Sequence, residues 1–269
     1  MSKVVGVPIL DVRAERLFAA GHAAGAVNIP LEELAERSHE LPPKGSTVSL
    51  FDDDPERRRR AAAALRPRGH VVREAVLSPS DLRESGPSQA RLWQPSPFLV
   101  EALDRIRSRA DAASPPGCAL DLACGAGRDA AYLAMCGYDV DAIDVLPDAL
   151  ARAQDLAQRH GVHLNTIQQD LKRSPALRAE RYDLVTVFRF LHRPLLPAIG
   201  SSVARGGFIV YEAFHWRDSA EGRKRLKPGH ALSDGELAAA FDGFEPLIAR
   251  DGVERDGRVF SQLLARRGA

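Results

Sequence analysis

Cysteine is scarce in this chain. There are three in 269 residues, Cys118, Cys124 and Cys136, and none before position 118. An odd number with no metal-ligand spacing excludes a disulfide framework or a thiol-built metal site, and fits reduced thiols in the cytoplasm. No apolar run approaches the about 20 residues a membrane span requires. The N-terminus has one lysine but no apolar signal core or cleavage pattern. A surplus of charge is also missing: Lys+Arg number 37 and Asp+Glu 36, so there is no global field for a polyanion or a cation. These absences leave a soluble protein without a membrane partner and with little to offer a nucleic acid.

What is present is alternation. Residues 4–13 and 47–51 read as strands, 31–40 and 55–65 as helices, and "RPRGHVVREAV" as a turn and a strand. Strands alternating with helices over about 75 residues indicate a small α/β domain. Residues 78–97 are rich in Ser, Pro and Gly and read as a linker, with Leu92 and Trp93 docking on a domain. A second α/β series fills 98–269. Its strands are expected at 119–122, 139–143, 163–167, 183–188, 208–212, 245–249 and 259–265. Helices are expected at 98–110, 129–135, 148–160, 195–204 and 234–241.

The stretch "ALDLACGAGRDAAYLA" (119–134) carries the most chemistry. A strand runs into Gly125-Ala126-Gly127 and straight into a helix, a turn that lets backbone amides approach a bound group. Taken alone, Gly125 to Ala130 also fits a dinucleotide loop. Asp121, at the strand end, argues against a pyrophosphate and for a cationic or hydroxyl-bearing ligand. S-adenosylmethionine offers both, through its ammonium and its sulfonium. Asp144 ends the next strand, where an acid can accept from ribose hydroxyls, and Asp170 follows the third, within reach of an adenine amino group.

The motif from Asp121 to Arg128, with Asp144 and Asp170 in order, resembles the class I S-adenosylmethionine-dependent methyltransferases. Ala123 departs from it, standing where many members have glycine. "YDLVTVFRFLHRPLLPAI", "RGGFIVYEAF" and "GRKRLKPGHALSDGEL" narrow the resemblance to the tellurite-resistance-type small-molecule group. The resemblance implies a Rossmann-like domain with a mostly parallel seven-stranded sheet. Its cofactor would be held by Asp121, Ala123, Gly125, Gly127, Arg128, Asp144, Val145, Asp170, Leu171 and Phe188. It also implies that residues 188–192 lie beside the methyl group and that Arg189, Arg193, Tyr211, Glu212 and Trp216 line the acceptor side.

Methyl transfer from a sulfonium is an in-line displacement, so an enzyme mainly positions the two partners. A high-pKa hydroxyl or amine would also need a base, and His192 and His215 are the candidates because histidine titrates near neutrality. Each has a plain alternative, His192 as a helix cap and His215 as part of a surface lid. The basic run Arg223, Lys224, Arg225 and Lys227 either steers an anionic acceptor or is simply solvated. No Asp-Pro-Pro-Tyr or Asn-Pro-Pro-Tyr motif follows Phe188, which argues against base-amine methylation. An RNA or protein methyltransferase and a non-catalytic cofactor-binding scaffold remain as alternatives to a small acceptor.

"ILDVRAERLFAAGHAAGAVNIPLEEL" (9–34) resembles the rhodanese fold, and the likeness covers residues 1–77. In active members a loop after the fourth strand begins with the cysteine that carries persulfide sulfur. That position is Asp52 here, in the loop from Asp52 to Arg57, and a carboxylate cannot form a persulfide. The resemblance therefore implies an inactive domain with a structural or docking role, open to a protein partner. Asp52 is expected to fill the amide cradle with its own charge. Asp54-Pro55-Glu56 is a helix start of N-cap, N1 proline and first-turn acid.

Overall fold

A computed structural model describes residues 7–109, 116–218 and 228–268. It divides the chain into two compact units, residues 1–94 and 95–269. Among the described residues no helix is long and apolar enough to cross a membrane.

The first unit is built on four parallel strands: β1 (Ile9–Asp11), β2 (Val27–Asn28), β3 (Thr47–Phe51) and β4 (Val71–Glu74), ordered β2-β1-β3-β4. Leu10, Val48 and Leu50 alternate into its core and meet Ala61, Ala62 and Leu65 of α2 (Pro55–Leu65). That helix starts where the sequence indicates: Asp54 Oδ1 accepts from the Glu56 amide at 2.8 Å, and Pro55 occupies the first turn.

Two elements differ from expectation. α1 (Glu15–Ala20) lies in a stretch for which no helix was expected; it is only six residues long, has no side-chain cap, and is held by Phe18 stacking on His22. Residues 31–40 form turns and one 3-10 turn, Ser38–Glu40, instead of a helix. Here Arg37 bonds Glu33 and Glu40, which fixes a looser path than the helical spacing suggested. The stretch expected as a linker packs with the first unit as far as Gln94. Glu84 forms a β-bridge with His22, and Leu92 enters the core.

The second unit holds a seven-stranded sheet, as the resemblance implied. Its strands are β5 (Cys118–Leu122), β6 (Asp139–Asp144), β7 (Asn165–Gln168), β8 (Tyr182–Phe188), β9 (Val203–Phe214), β10 (Phe244–Arg255) and β11 (Arg258–Arg267). Their order is β10-β11-β9-β8-β5-β6-β7, with β10 and β11 antiparallel and the rest parallel. The chain runs outward from β5 to β7 and then crosses to β8 on the other side of β5. This is a topological switch point, and the crevice at the carboxyl ends of β5 and β8 is where such sheets bind ligands.

Alternating residues feed two apolar layers. Leu120, Leu122, Val185 and Val187 face one, and Ala119, Leu184 and Val210 face the other. The second layer is covered by α3 (Pro97–Arg107) through Phe98, Leu99, Ala102, Leu103 and Ile106, and by α4 (Arg128–Met135) and α5 (Pro147–Arg159). α6 (Leu196–Ser202) and α7 (Glu236–Ala239) cover the first.

Gly127, the residue before α4, is set by packing. A Cβ there would lie 2.4 Å from the Ala153 Cβ of α5, and its φ of +74° is left-handed. Gly127→Ala is therefore expected to lower stability by about 3 kcal/mol, summing overpacking and backbone strain. Denaturant unfolding measures this, and Gly161→Ala, also left-handed but facing open space, should cost less.

Candidate active site

The site grows from the carboxyl end of β5. Asp121 faces the layer under α3 and α4 and is 2% exposed. Its register partner on β8 is Thr186, whose hydroxyl donates to Asp121 Oδ1 at 2.9 Å. Asp121 Oδ2 is buried and has no hydrogen-bond partner of good geometry among the described residues, and the nearby Ala130 amide offsets only part of the carboxyl's burial. Burial, then the negative charges of Asp129 and Asp144, hold the Asp121 carboxyl well above the usual carboxylate range. Asp129, in the first turn of α4, is pushed up to about 6 by burial and accepts from the Ser96 amide at 2.6 Å. Of these two buried acids, Asp129 is eased by the Arg128 and Arg189 charges, while Asp121 keeps one orphaned oxygen.

The turn after β5 is wound in left-handed backbone. Ala123 has φ of +55° and Gly125 +55°. Alanine is thus strained where many members of the resembling family have glycine. A Cβ on Gly125 would meet no atom within 4 Å, so this glycine fronts open space while Gly127 packs. Asp144, at the end of β6, organises the turn: Oδ2 accepts from the Gly125 amide at 2.9 Å and Oδ1 from the Leu146 amide at 3.0 Å. Val145 beside it is 48% exposed. Asp170 Oδ1 accepts from the Lys172 and Arg173 amides, and Leu171 is buried.

Cys124 sits within the turn. Burial and the nearby Asp121 and Asp144 push its thiol up, so it is a packing residue and no nucleophile. Burial lowers the Arg128 guanidinium from its ordinary value, and the neighbouring Arg189 lowers it further. Arg189, just past β8, has left-handed φ of +58° and donates its amide to the Glu212 carbonyl at 2.8 Å. Phe188 is partly buried against the same layer as Asp121.

The expected acceptor side is mostly committed to internal contacts. Tyr211 is fully buried in the opposite layer and its hydroxyl donates to the Phe190 carbonyl at 3.0 Å. Arg193 pairs with Glu236 and donates to the Ala231 carbonyl. Glu212 is buried between Arg255 and Gln262. His215 is fully buried; its Nδ1 accepts from the Arg217 amide at 3.4 Å and its Nε2 lies 3.4 Å from Asp234. That geometry makes it a brace between β9 and Leu232, with which it bridges, and its Nε2 is buried without a hydrogen-bond partner among the described residues. Trp216 is half-exposed and its indole N–H donates to Asp234 at 3.1 Å. His192 is partly exposed and precedes the 3-10 turn Arg193–Leu195; its carbonyl accepts from the Leu195 amide, and its side chain makes no cap hydrogen bond. The basic run 223–227 lies outside the described residues.

Thr186, Asp129, Ser96, Arg255 and Gln262 were not foreseen. Their partners lie far along the chain, 65 residues for Thr186 and Asp121, and no local pattern marks such pairs.

In the first unit the loop after β3 is closed. Asp52 is buried; Oδ1 accepts from the Asp54 amide at 2.9 Å and Oδ2 from Arg57 Nε at 2.9 Å. Arg57 also grips Glu32 and the Val12 carbonyl, and Arg58 bonds the Asp52 carbonyl. Arg13, itself bound to Asp11, reaches Asp53 at 3.3 Å. Asp52 thus accepts from one backbone amide of the loop and one guanidinium. Among the described residues no cluster of His, Cys, Asp and Glu could hold a metal.

Comparison with known proteins agrees with both units. The rhodanese-like domain family matches residues 1–78, and the methyltransferase domain family matches 119–206. An uncharacterized protein of Schizosaccharomyces pombe, UNK4.09, is 25% identical over 97% of this chain and 94% of its own length. The probable S-adenosyl-L-methionine-dependent methyltransferase TehB of Haemophilus influenzae is 34% identical over 83 residues, which are 30% of this chain and 28% of TehB. The crystal structure of TehB from that organism has the same fold, with a TM-score of 0.52 at 22% identity over 62% of each chain. The chain thus spans less than a third of TehB in sequence and under two thirds in structure. Set beside the geometry above, these matches make the chain a two-domain α/β protein that joins a rhodanese-like domain to a methyltransferase domain.

Proposed function

We propose that the second unit transfers the methyl group of S-adenosylmethionine to a small-molecule acceptor, and that the first unit is a rhodanese-like module without sulfurtransferase activity. S-adenosylmethionine is the cofactor of this methyltransferase. The observation that carries the reading is the buried Asp121 carboxylate with its orphaned Oδ2, a group that needs a cation.

The residues present fit the cofactor. Asp121 would face its ammonium, and the open turn at Gly125 would admit its backbone-sized end. Asp144 would accept from the ribose hydroxyls, with Val145, Asp170 and Leu171 around the adenine and Phe188 beside the reacting end. Arg128 and Arg189 supply positive charge for its carboxylate, which would relieve their mutual repulsion. Bound there, the cofactor supplies a methyl already activated as a sulfonium. What remains for the chain is to orient the acceptor, exclude water and balance charge.

A small acceptor is supported by one relative. The ubiquinone biosynthesis O-methyltransferase of Cronobacter sakazakii is 31% identical over 36% of this chain and 42% of its own. For the first unit, Asp52 occupies the place of the sulfur-carrying residue and is already paired. That loop has no thiol to accept sulfur, which leaves the unit a structural or docking role.

Calorimetry with S-adenosylmethionine tests the cofactor site. Binding is expected in the wild type, with at least tenfold weakening, about 1.4 kcal/mol, in both Asp144→Ala and Asp121→Asn. Equal affinity in either variant would contradict the reading. Labelled methyl is expected in the small-metabolite fraction of a cell extract, and label confined to RNA or protein would overturn the small acceptor.

Asp121→Asn should also stabilise the ligand-free protein at neutral pH. Acids whose folded pKa is raised leave stability intact below the ordinary carboxylate range, and it falls as they ionise with rising pH. Wild-type melting temperature should therefore drop from pH 4 through the Asp129 value of about 6, and drop less in Asp121→Asn. The full chain should show no thiosulfate:cyanide sulfurtransferase activity above background.

A further inference from the structure

A buried polar row lies on the face of the sheet that carries Asp121 and Thr186. Phe188 of β8 is the register partner of Glu212 on β9, Glu212 of Gln262 on β11, and Gln262 of Arg250 on β10. Paired residues on neighbouring strands share a face, and Phe188 stands two residues beyond Thr186 on that same face. The row is therefore one step nearer the carboxyl edge than Asp121. α3 covers its outer end, where Arg250 binds Glu101 and lies over the Phe98 ring.

Glu212 is fully buried and Gln262 is 5% exposed. Both terminal nitrogens of Arg255 donate to Glu212, and Gln262 Nε2 donates to Glu212 Oε2 at 2.6 Å. A carboxylate only accepts, so the amide atom facing it has to be the NH2 group, and the network fixes the amide's orientation. Gln262 Oε1 is thereby turned away. It is buried without a hydrogen-bond partner among the described residues, and so is Arg255 Nε. Buried carbonyls are nearly always paired, so an orphaned one in the same row as Phe188, two strands from the crevice at β5 and β8, calls for a donor from outside the chain.

We propose that Gln262 Oε1 accepts a hydrogen bond from the methyl acceptor, which is therefore a small protic nucleophile: a thiol, a hydroxyl compound or an N–H base. Glu212 and Arg255 are positioning residues that hold the amide in this orientation. The proposal rests on the methyltransferase reading above. The acceptor's lone pair forms the new bond to the methyl carbon as that carbon's bond to sulfur breaks, the bonding pair staying on sulfur. The acceptor's proton passes to water, since an amide oxygen is no base. Gln262 orients the proton-bearing atom so that its lone pair points along the line of displacement.

The test uses the full chain, with S-adenosylhomocysteine binding as the control for an intact cofactor site. Catechol, dithiothreitol and imidazole serve as protic probes and iodide as an aprotic nucleophile, in calorimetric titration of the S-adenosylhomocysteine-loaded protein and in transfer from labelled S-adenosylmethionine. At least one protic probe is expected to bind and be methylated, and iodide is not. Gln262→Leu should raise that probe's Kd and KM at least tenfold while S-adenosylhomocysteine affinity stays within twofold. If Gln262→Leu fails to fold, Gln262→Met, of matching length and volume, replaces it. Methylation of iodide alone, no binding or methylation of any protic probe, or an unchanged Kd and KM in the variant would each overturn the assignment of Gln262. A wild type that does not bind S-adenosylhomocysteine would instead overturn the methyltransferase reading itself.

Discussion

A single carboxylate oxygen sets the terms for the second unit. Asp121 stands where the chain reverses its winding across the sheet, with one oxygen held by Thr186 and the other buried and unpaired. Removing charge from water without a partner is costly, and the group responds by resisting ionisation. Nearby Asp129 is pushed the same way. A cation arriving at that oxygen would relieve the arrangement. The rest of the crevice follows that logic: an open left-handed turn, an acid that orders the turn through its amides, and two arginines that repel one another.

The two units make a useful contrast, because each places acids in a loop between a strand and a helix. After β3, Asp52 receives an amide and a guanidinium, Asp54 caps the helix, and Arg13 reaches Asp53. Every charge there meets a partner from the chain itself. After β5, Asp121 is left with one unpartnered oxygen. The same local architecture is therefore closed in one unit and open in the other, and the difference lies in side-chain pairing instead of backbone shape. Gly125 and Gly127 show how narrow the margin is: one fronts open space, and the other is pressed against Ala153.

Much of this was legible in the sequence because it is local. The strand-turn-helix at Asp121 to Arg128, the capped start of α2 and the seven strands of the second unit all follow from short-range pattern. The misses have a common cause too. α1 is too short to show a period, and residues 31–40 keep helical spacing while Arg37 ties them into turns. The acceptor-side roles expected of Tyr211, Arg193, Glu212 and His215 are a separate matter, because pairing within the chain does not decide them. Each is engaged by a residue from another element, at Phe190, Glu236, Arg255 and Asp234. Composition reveals that such groups exist, but only folding decides which pair with one another and which are left over.

The most direct test of the account is the proton balance of cofactor binding. Calorimetry of S-adenosylmethionine in buffers of differing ionisation enthalpy, between pH 5 and 7, reports the protons exchanged on binding. If Asp121 is held protonated until a cation reaches it, the wild type releases protons on binding and Asp121→Asn does not. Binding with no linked proton, or with the same release in Asp121→Asn, would contradict the claim that this carboxylate waits for the cofactor's charge.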